Sequence, residues 1–318
     1  MTHSDPASRP RALITGIGGF TGRYMAARLA ADGYHVSGTV RSGESLSEEA
    51  FPFGATAIEA DLLDRGAIAH AVEAVQPDVV VHLAAVAHVA DSDVARTYVV
   101  NVVGTRNLLE ALAHVRHVPR AVLLASSANI YGNATNGIID EQVAPQPAND
   151  YAVSKLAMEY VAKRWEAQLP LIVARPFNYT GVGQSPDFLI PKIIEHYARG
   201  EKRISLGNVH VARDFSDVRD IVHAYARLIE AAPRGATVNV CSGSGHTLGA
   251  LLDMLARIAG YEIDVHVDPR FVRANEVRQL VGSNAKLRSI VGDTSRKHLE
   301  DTLRWMYEEA RERLLETQ

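Results

Sequence analysis

Three side chains in the middle of the chain have the types and spacing for proton transfer at a carbonyl group. Tyr151 and Lys155 lie four positions apart in a stretch with helical apolar spacing, so both project from one helix face. A phenol titrates at about 10, and a lysine ammonium one turn away favours the phenolate and lowers that pKa. Ser127, at the end of the preceding predicted strand, could hold a carbonyl oxygen against the phenol. The set suits moving a proton at an oxygen while a hydride moves at its carbon.

The strands and helices that must position these residues alternate regularly along the chain. Short apolar runs alternate with amphipathic helical stretches, which indicates a doubly wound parallel sheet. We predict strands over 11–15, 35–41, 55–60, 79–83, 121–125 and 171–174. We predict helices over 22–32, 65–75, 94–113 and 151–168. After Pro176 helical stretches follow with few strands between them, and 238–241 is predicted to be one more buried strand of the first sheet.

Composition excludes several classes of protein. The 318-residue chain has a net charge of −4, a pI near 6.4 and no Lys/Arg cluster, so no nucleic-acid partner is expected. No apolar run approaches a membrane span, and residues 1–10 lack the apolar stretch of a secretion signal. The single Cys241 excludes an internal disulfide framework and a cysteine metal cluster. We therefore expect a cytoplasmic enzyme that binds neither membrane nor metal.

A glycine-rich turn follows the first predicted strand and opens a helix. Gly16, Gly19 and Gly22 form a GxxGxxG pattern. Glycines let the chain turn tightly and let the backbone approach a pyrophosphate, and the helix N terminus supplies free N–H donors. Such turns also occur without a ligand, but this position in a parallel αβ array favours nucleotide binding.

The ends of the next strands bear on which dinucleotide binds. Arg41 ends the second strand, where an NAD site usually has an acid, and an arginine instead suits the 2′-phosphate of NADP. A solvated arginine is the alternative. Asp61 closes the third strand, where a carboxylate could accept from the adenine amino group. We predict NADP, with NAD as the alternative, at a site formed by Gly16, Gly19, Phe20, Thr21, Gly22, Arg41, Asp61, Leu62, Leu83, Ala84, Ala85, Asn101, Tyr151 and Lys155.

Several motifs stand in a fixed order along the chain: HLAA at 82–85, NVVGT at 101–105, SSANIYG at 126–132 and YAVSK at 151–155. With the glycine turn, they make residues 11–305 resemble the extended short-chain dehydrogenase/reductases that act on nucleotide sugars. The resemblance implies a Rossmann-like α/β fold with a smaller, mainly helical C-terminal substrate lobe. It also selects Ser127 over Ser126 as the catalytic serine. The dinucleotide-binding domain would cover 11–176 with returns near 206–242, and the nucleotide-sugar lobe 177–205 and 243–318.

The C-terminal motifs are similar to those of GDP-mannose 4,6-dehydratases and GDP-4-keto-6-deoxymannose reductases: RPFNYTGVGQSPDF at 175–188, RDFSDVRDI at 213–221, RANEV at 273–277 and GSNAKL at 282–287. By that resemblance Arg213 and Arg273 would contact the diphosphate, Glu276 the ribose, and Asn178 the phosphates or sugar. Two guanidinium groups suit a diphosphate, and a carboxylate accepts from vicinal hydroxyls. Alternatively, Arg213 pairs structurally with Asp214, and Arg273 is a surface charge.

The residues after Ser127 bear on the reaction. A 4,6-dehydratase needs further acid/base groups, which relatives place as carboxylates directly after the catalytic Ser or Thr. Here these positions are Ala128 and Asn129, which cannot serve, although a carboxylate from elsewhere such as Glu141 could substitute. Reduction of a 4-keto sugar needs only the groups that are present.

We therefore predict NADPH-dependent reduction of a GDP-4-keto-6-deoxyhexose. Ser127 would orient the ketone, Tyr151 would protonate it, and Lys155 would bind the nicotinamide ribose and lower the pKa of the phenol. Asn101 would either hold a water behind Lys155 or pack inside its helix. The resemblance favours GDP-D-rhamnose as product over GDP-6-deoxy-D-talose or a deoxyheptose.

Other functions fit the same residues. A nucleotide-sugar 4-epimerase or a GDP-mannose 4,6-dehydratase would use the same triad, and a non-catalytic NADP sensor would not need it. In the family, helices 94–113 and 151–168 form a four-helix contact, so we expect a homodimer. His82 and His88 do not have a reliable metal spacing and are expected to pack or face solvent.

Overall fold

The computed structural model of the protein describes residues 9–41, 43, 54–87, 93–134, 137–271, 278–293 and 296–316. Within these ranges the strands are β1 (Arg11–Thr15), β2 (His35–Val40), β3 (Thr56–Glu59), β4 (Val79–His82), β5 (Ala121–Ala125), β6 (Leu171–Pro176), β7 (Asn178–Thr180), β8 (Arg203–Leu206), β9 (Ala212–Asp217), β10 (Ala236–Val240), β11 (Gly245–Thr247), β12 (Asp264–Val267) and β13 (Gln279–Leu280).

The α-helices within the described ranges are α1 (Phe20–Ala31), α2 (Arg65–Val75), α3 (Val94–Tyr98), α4 (Thr105–His114), α5 (Asp150–Ala162), α6 (Leu189–Ala198), α7 (Val218–Ala231), α8 (Leu248–Ala259), α9 (Ala285–Val291) and α10 (Leu299–Glu316). A π-helical segment, Val99–Gly104, joins α3 to α4. Short 3-10 turns occur at Ala128–Tyr131, Lys163–Trp165 and Pro269–Phe271.

A seven-stranded parallel sheet forms the main layer, in the order β10-β6-β5-β4-β1-β2-β3. Its central strands are mostly apolar, and the four residues of β4, three valines and His82, are all buried. This sheet confirms the predicted Rossmann-like fold class, because helices cover both of its faces. The predicted strand at 238–241 is confirmed as β10, which pairs in parallel with β6.

Two apolar layers hold the helices on the sheet. One face packs α1 and α7 through residues such as Met25, Leu29 and Leu228. The other packs α2, α4 and α5 through residues such as Ile68, Leu108 and Met158. Capping side chains begin several of these helices, as when Asn149 accepts from the backbone N–H of Ala152 at 2.9 Å at the start of α5.

The second half of the chain contains more strand than its sequence predicts. β9 pairs with β7, β11 and β13 in one small sheet, and β8 pairs with β12 in another. These strands have two to six residues, too few to show a clear period of their own. Helices α6, α8 and α10 pack around a separate core that includes Ile193, Leu255 and Leu303.

The return to the main sheet consists of α7 and β10. Two strands near the start of the predicted return at 206–242, β8 and β9, belong to the two small sheets. Among the described residues, no helix has the length and apolarity needed to cross a bilayer.

Candidate active site

The fold brings Ser127, Tyr151 and Lys155 together at the carboxyl-end edge of the main sheet. Ser127 lies two residues beyond β5, and Lys155 Nζ donates to the carbonyl oxygen of Ala125, the last residue of β5, at 2.8 Å. Ser127 and Lys155 are buried, and the Ser127 hydroxyl lies close enough to the Tyr151 phenol to lower its pKa. The predicted triad is therefore a spatial cluster.

The electrostatics of the triad differ from the sequence prediction in one respect. Burial raises the pKa of Tyr151 above its ordinary value, and the nearby Tyr179 adds to this, while the hydrogen bond with Ser127 opposes it. The net shift of the phenol pKa is therefore upward, opposite to the lowering that the Tyr151–Lys155 spacing predicts, because burial outweighs the effects that lower it. Burial also lowers the pKa of Lys155 to about 8, although Glu159 opposes this shift.

Asn129 determines how the Ser127 hydroxyl can be used. Its backbone N–H and its side-chain Nδ2 donate to Ser127 Oγ at 3.1 Å and 3.2 Å. Since both lone pairs of that oxygen are then engaged, the Ser127 proton is left to be donated. This arrangement suits a serine that donates to a carbonyl oxygen.

A buried ionic network supports the turn that carries Ser127. Arg175 donates from Nε and Nη2 to the two carboxylate oxygens of Glu159, at 3.0 Å and 2.6 Å. Ser126 Oγ donates to the same carboxylate at 2.5 Å, and Arg175 Nη1 donates to the Tyr131 hydroxyl at 2.8 Å. Ser126 is thereby committed to structure, in agreement with the choice of Ser127 as the candidate catalytic serine.

The carboxylates near the triad already have partners. Glu159 is held by Arg175, and Glu141 accepts from the backbone N–H of Asn239 on β10 at 2.7 Å. Glu141 is therefore tied to the sheet rather than offered to the Ser127 turn. The described residues of the Ser127 turn therefore include no carboxylate that could act as the acid or base of a 4,6-dehydratase.

Asn101 links the loop after β4 to α5. Its Nδ2 donates to Ser154 Oγ at 2.9 Å and to the Val86 carbonyl oxygen at 3.0 Å, and its Oδ1 accepts from the Val86 N–H at 2.8 Å. Ser154 Oγ in turn donates to the Tyr151 carbonyl oxygen at 2.7 Å. These bonds use both amide protons of Asn101, so its side chain holds the loop after β4 against α5. The π-helical segment that carries it is a form often found at functional sites.

His82 is a packing residue. Its two ring nitrogens lie 2.7 Å from Thr15 Oγ1 and 2.8 Å from Thr105 Oγ1. Burial, with the charge of Lys155, lowers the pKa of His82 to about 3, so the ring is neutral at physiological pH. His88 lies outside the described residues, and the described ones contain no cluster of metal-ligating side chains.

The glycine turn fits a pyrophosphate. Gly16 has φ +73°, and a Cβ there would lie 2.9 Å from the Ala84 Cα, while a Cβ on Gly22 would lie 2.6 Å from the Ile17 carbonyl oxygen. Helix α1 begins after Gly19 without a side-chain cap, so its first N–H groups are open to an anion. The observed backbone therefore has the form that the sequence predicts.

The other predicted cofactor residues lie along the same edge. Asp61 Oδ1 accepts from the Leu63 N–H at 2.8 Å, so one carboxylate oxygen shapes the turn after β3. Arg41 is exposed directly after β2. Partly buried or buried side chains continue the edge toward the triad: Phe20, Thr21, Leu62, Leu83, Ala84 and Ala85.

Two of the four predicted sugar-nucleotide residues are described. Asn178 on β7 and Arg213 on β9 lie on adjacent strands, and Asn178 Nδ2 donates to the Asp214 carbonyl oxygen at 3.4 Å. The Asp214 carboxylate accepts from neutral donors of Ser242, Gly243 and Gly282. Arg273 and Glu276 lie outside the described residues.

Tyr179 joins the two halves of the site and was missed by sequence reasoning. Its hydroxyl lies 2.9 Å from Thr21 Oγ1, and its ring stacks on Phe20 with centroids 6.2 Å apart. Tyr24 on the next turn of α1 donates to the Val182 carbonyl oxygen at 2.8 Å. The available signal was the position of Tyr179 directly after the RPFN motif.

Comparison with known proteins decides the family. The family model described as GDP-mannose 4,6 dehydratase matches residues 13–306. The chain belongs to this family. It is thus an enzyme of the short-chain dehydrogenase/reductase class, as its motifs predict, with a Rossmann-like fold shared by its structural neighbours.

Two relatives act on GDP-sugars by name. The chain is 33% identical over 245 residues to GDP-6-deoxy-D-talose 4-dehydrogenase of Aggregatibacter actinomycetemcomitans, covering 77% of this chain and 83% of the relative. It is 35% identical over 293 residues to GDP-6-deoxy-D-mannose reductase of Pseudomonas aeruginosa, covering 89% and 91%.

Two solved structures extend the comparison. A Burkholderia cenocepacia J2315 protein provisionally described as an epimerase superposes with a TM-score of 0.91 at 58% identity, over 96% of this chain and 99% of that one. RMD from Pseudomonas aeruginosa, solved with NADPH, superposes with a TM-score of 0.80 at 32% identity, over 96% and 98%.

Proposed function

We propose that this protein uses NADPH to reduce the C4 ketone of a GDP-4-keto-6-deoxyhexose, giving GDP-D-rhamnose. The observation that carries the proposal is the Ser127–Tyr151 pair, in which Asn129 fills both acceptor positions of the serine. Such a pair is set to donate protons toward an oxygen. The GDP-sugar relatives supply the substrate class.

In the proposed reduction, Ser127 and Tyr151 each have a defined part in proton transfer. Bound NADPH would supply a hydride to C4. Ser127 donates a hydrogen bond to the ketone oxygen, and Tyr151 gives its proton to that oxygen as the alkoxide develops. Because the pKa of Tyr151 is raised, the phenol stays protonated at neutral pH, as an acid must.

Lys155 serves the cofactor in this proposal. Its ammonium has three donors, and one is engaged by the Ala125 carbonyl oxygen. The remaining donors are assigned to the nicotinamide ribose hydroxyls. With a pKa of about 8, the amine is largely charged at neutral pH and loses its proton in mildly alkaline solution.

The cofactor assignment rests on the glycine turn and on Arg41. The turn presents open N–H groups to a pyrophosphate, and the exposed Arg41 after β2 suits a 2′-phosphate. The NADPH complex of RMD from Pseudomonas aeruginosa agrees with this choice. NAD is the alternative, and comparison of NADPH and NADH affinities decides between them.

The sugar-nucleotide residues are assigned by position. Asn178 and Arg213 share the small sheet beside the crevice, where Arg213 would meet the diphosphate. Arg273 and Glu276 keep their proposed contacts with the diphosphate and ribose. GDP-D-rhamnose is 6-deoxy-D-mannose linked to GDP, so the Pseudomonas aeruginosa relative supports that product, and the talose relative keeps the other face of C4 as the alternative.

A second copy of the chain is proposed to cover an apolar surface. Val99, Val103, Val153 and Tyr160 are exposed on the π-helical segment and α5, with Tyr160 63% accessible. These helices adjoin one another, so their exposed apolar side chains suit a two-fold contact of four helices. Light scattering of the protein and of Val103→Glu should give a dimer and a monomer; identical masses would contradict this interface.

Replacement of Tyr151 by Phe tests the proposed chemistry. The variant should lose turnover by at least about a hundredfold while its affinity for NADPH stays within about twofold. Unchanged turnover would remove Tyr151 from its role. An epimerase, the second candidate suggested by the Burkholderia cenocepacia structure, should instead purify with dinucleotide bound and need none added.

A further inference from the structure

Ser126 is bound to α5 by a short hydrogen bond that the proposed chemistry does not use. Its side chain is buried, and its Oγ donates to Glu159 Oε1 at 2.5 Å. A hydroxyl that donates to a carboxylate forms one of the stronger hydrogen bonds in proteins, and this length is typical of that class. The bond is therefore a firm restraint on the chain at the end of β5, one residue before Ser127.

Glu159 can hold Ser126 because it is itself fixed. Arg175 on β6 donates to both of its carboxylate oxygens, at 3.0 Å and 2.6 Å. The backbone of Ser126 is tied to the same strand, since its N–H donates to the Ala174 carbonyl oxygen at 2.7 Å. The position of Ser126 is thus set by β6 and α5 together.

Two side chains of α5, one turn apart, hold two consecutive residues at the end of β5. Lys155 Nζ donates to the Ala125 carbonyl oxygen at 2.8 Å, and Glu159 accepts from Ser126. Tyr151, Lys155 and Glu159 are spaced by four residues, so they follow one another along a single face of α5. The helix face that carries the phenol is thereby joined at two points to the strand end that leads into the candidate catalytic serine.

The far end of the Ser127 turn is anchored to the same ion pair. The Tyr131 hydroxyl accepts from Arg175 Nη1 at 2.8 Å and donates to Asn239 Oδ1 on β10 at 2.8 Å. The Tyr131 side chain is fully buried. The turn is therefore held at both ends by the pair of Arg175 and Glu159, with Ser127 between the two anchors.

We propose that Ser126 is a positioning residue, whose hydrogen bond to Glu159 sets the place of Ser127 relative to Tyr151. The inference rests on the proposed function, because it takes the Ser127 and Tyr151 hydroxyls to act on one oxygen of the substrate. Catalysis depends steeply on such placement, and a displacement of about 1 Å can cost about a hundredfold in rate. The Ser126 hydroxyl acts on the reaction through Ser127.

The test removes the Ser126 hydroxyl alone. Ser126→Ala leaves the two bonds between Arg175 and Glu159 in place, so the variant should fold. Steady-state kinetics with GDP-4-keto-6-deoxymannose and NADPH, together with thermal unfolding, compare it with the wild-type protein. The same substitution is also made in a Ser127→Ala background.

Thr302→Val is the matched control. Thr302 on α10 is also buried, and its Oγ1 donates to Asp217 Oδ2 at 2.8 Å. Arg219 holds that carboxylate by two bonds, at 2.9 Å and 2.6 Å, as Arg175 holds Glu159. The control therefore loses the same kind of hydrogen bond in the C-terminal half of the chain, outside the Ser127 turn.

The proposal predicts similar effects on stability and different effects on rate. Both variants should unfold at a lower temperature, since each loses one buried hydrogen bond. Ser126→Ala should lower kcat about ten- to a hundredfold with KM within about twofold, whereas Thr302→Val should change kcat by less than about twofold. In the Ser127→Ala background, Ser126→Ala should lower kcat by less than about twofold further, because the group that it positions is already absent.

Three kinetic results would overturn the proposal. An unchanged kcat for Ser126→Ala would show that the bond does not matter to the reaction. Equal losses of kcat in Ser126→Ala and Thr302→Val would reduce the bond to a general contribution to stability. A loss that persists in full in the Ser127→Ala background would mean that Ser126 acts independently of Ser127.

Crystal structures of the two variants separate this inference from the proposed function, because they need no turnover. The distance between Ser127 Oγ and the Tyr151 hydroxyl should increase by about 0.5 Å or more in Ser126→Ala and stay unchanged in Thr302→Val. If the wild-type protein consumes no NADPH with the keto sugar, the proposed function fails, and this distance still tests the inference. If the protein turns over and the distance is unchanged in Ser126→Ala, the inference alone fails.

Discussion

Asn129 donates two hydrogen bonds to Ser127 Oγ, at 3.1 Å from its backbone N–H and at 3.2 Å from its side chain. The serine is thereby left with a proton to give and no acceptor position to offer. In a dehydratase, a carboxylate near this place moves protons itself. Here the Asn129 amide instead makes the Ser127 hydroxyl a hydrogen-bond donor.

Substitution of Asn129 should therefore act on kcat rather than on substrate binding. Asn129→Ala removes one of the two donors and should lower kcat about fivefold, roughly the effect of one hydrogen bond. Asn129→Asp should lower it further, because a carboxylate can accept the Ser127 proton and withdraw it from the ketone. Steady-state kinetics test both variants; a selective rise in KM with kcat unchanged would contradict this role.

The pH dependence of reduction should report Lys155. Burial lowers its pKa to about 8, so the ammonium is present below that pH and is lost above it. Tyr151 does not limit the alkaline side at that point, because its pKa is raised. We expect kcat/KM for reduction to fall as the pH rises through about 8. A profile that stays flat from pH 7 to pH 10 would be inconsistent with a charged lysine in the reaction.

The buried ion pair of Arg175 and Glu159 should be costly to break. Their side chains are 9% and 5% exposed, so Arg175→Leu leaves the Glu159 carboxylate buried without its cation. The loss in free energy of unfolding should be about 3–5 kcal/mol. Arg227→Ala, which breaks an exposed pair with Glu230, is the control and should cost less than about 1 kcal/mol. Chemical denaturation measures both, and similar losses would refute the network's structural role.

His82 should make the fold sensitive to acid. Burial, with the charge of Lys155, lowers its pKa to about 3 from an ordinary value of 6.5. The unfolded chain therefore takes up a proton below pH 6.5 while the folded protein does not, so stability is lost as the pH falls. From pH 6.5 to 5 this amounts to about 2 kcal/mol. In denaturant titrations, the free energy of unfolding of His82→Gln should fall by about 2 kcal/mol less than that of the wild-type protein between pH 6.5 and pH 5. If both proteins show the same pH dependence, His82 is not responsible.

The main sheet could be predicted from the sequence because its strands carry their own signal. β4 begins with three valines, β5 is an uninterrupted apolar run, and the glycine turn marks the start of α1. The small sheets could not be predicted in the same way. β13 has two residues and is a strand only because β9 lies beside it.

The site shows the same limit. A four-residue spacing places Tyr151 and Lys155 on one helix face, but it does not show that the lysine donates to Ala125 on β5. The bonds of Asn101 to Val86 and Ser154 likewise connect residues far apart in the chain. Ser126 is one of two adjacent serines in sequence, and only the folded chain shows that its hydroxyl donates to Glu159.

The most direct test of the account is to follow the hydride. The protein is incubated with GDP-4-keto-6-deoxymannose and NADPH that carries deuterium at the transferable position of C4, and the sugar is examined by NMR. We predict stoichiometric loss of NADPH and GDP-D-rhamnose with deuterium at C4. Conversion of the sugar without deuterium uptake, or no consumption of NADPH, would contradict reduction at C4.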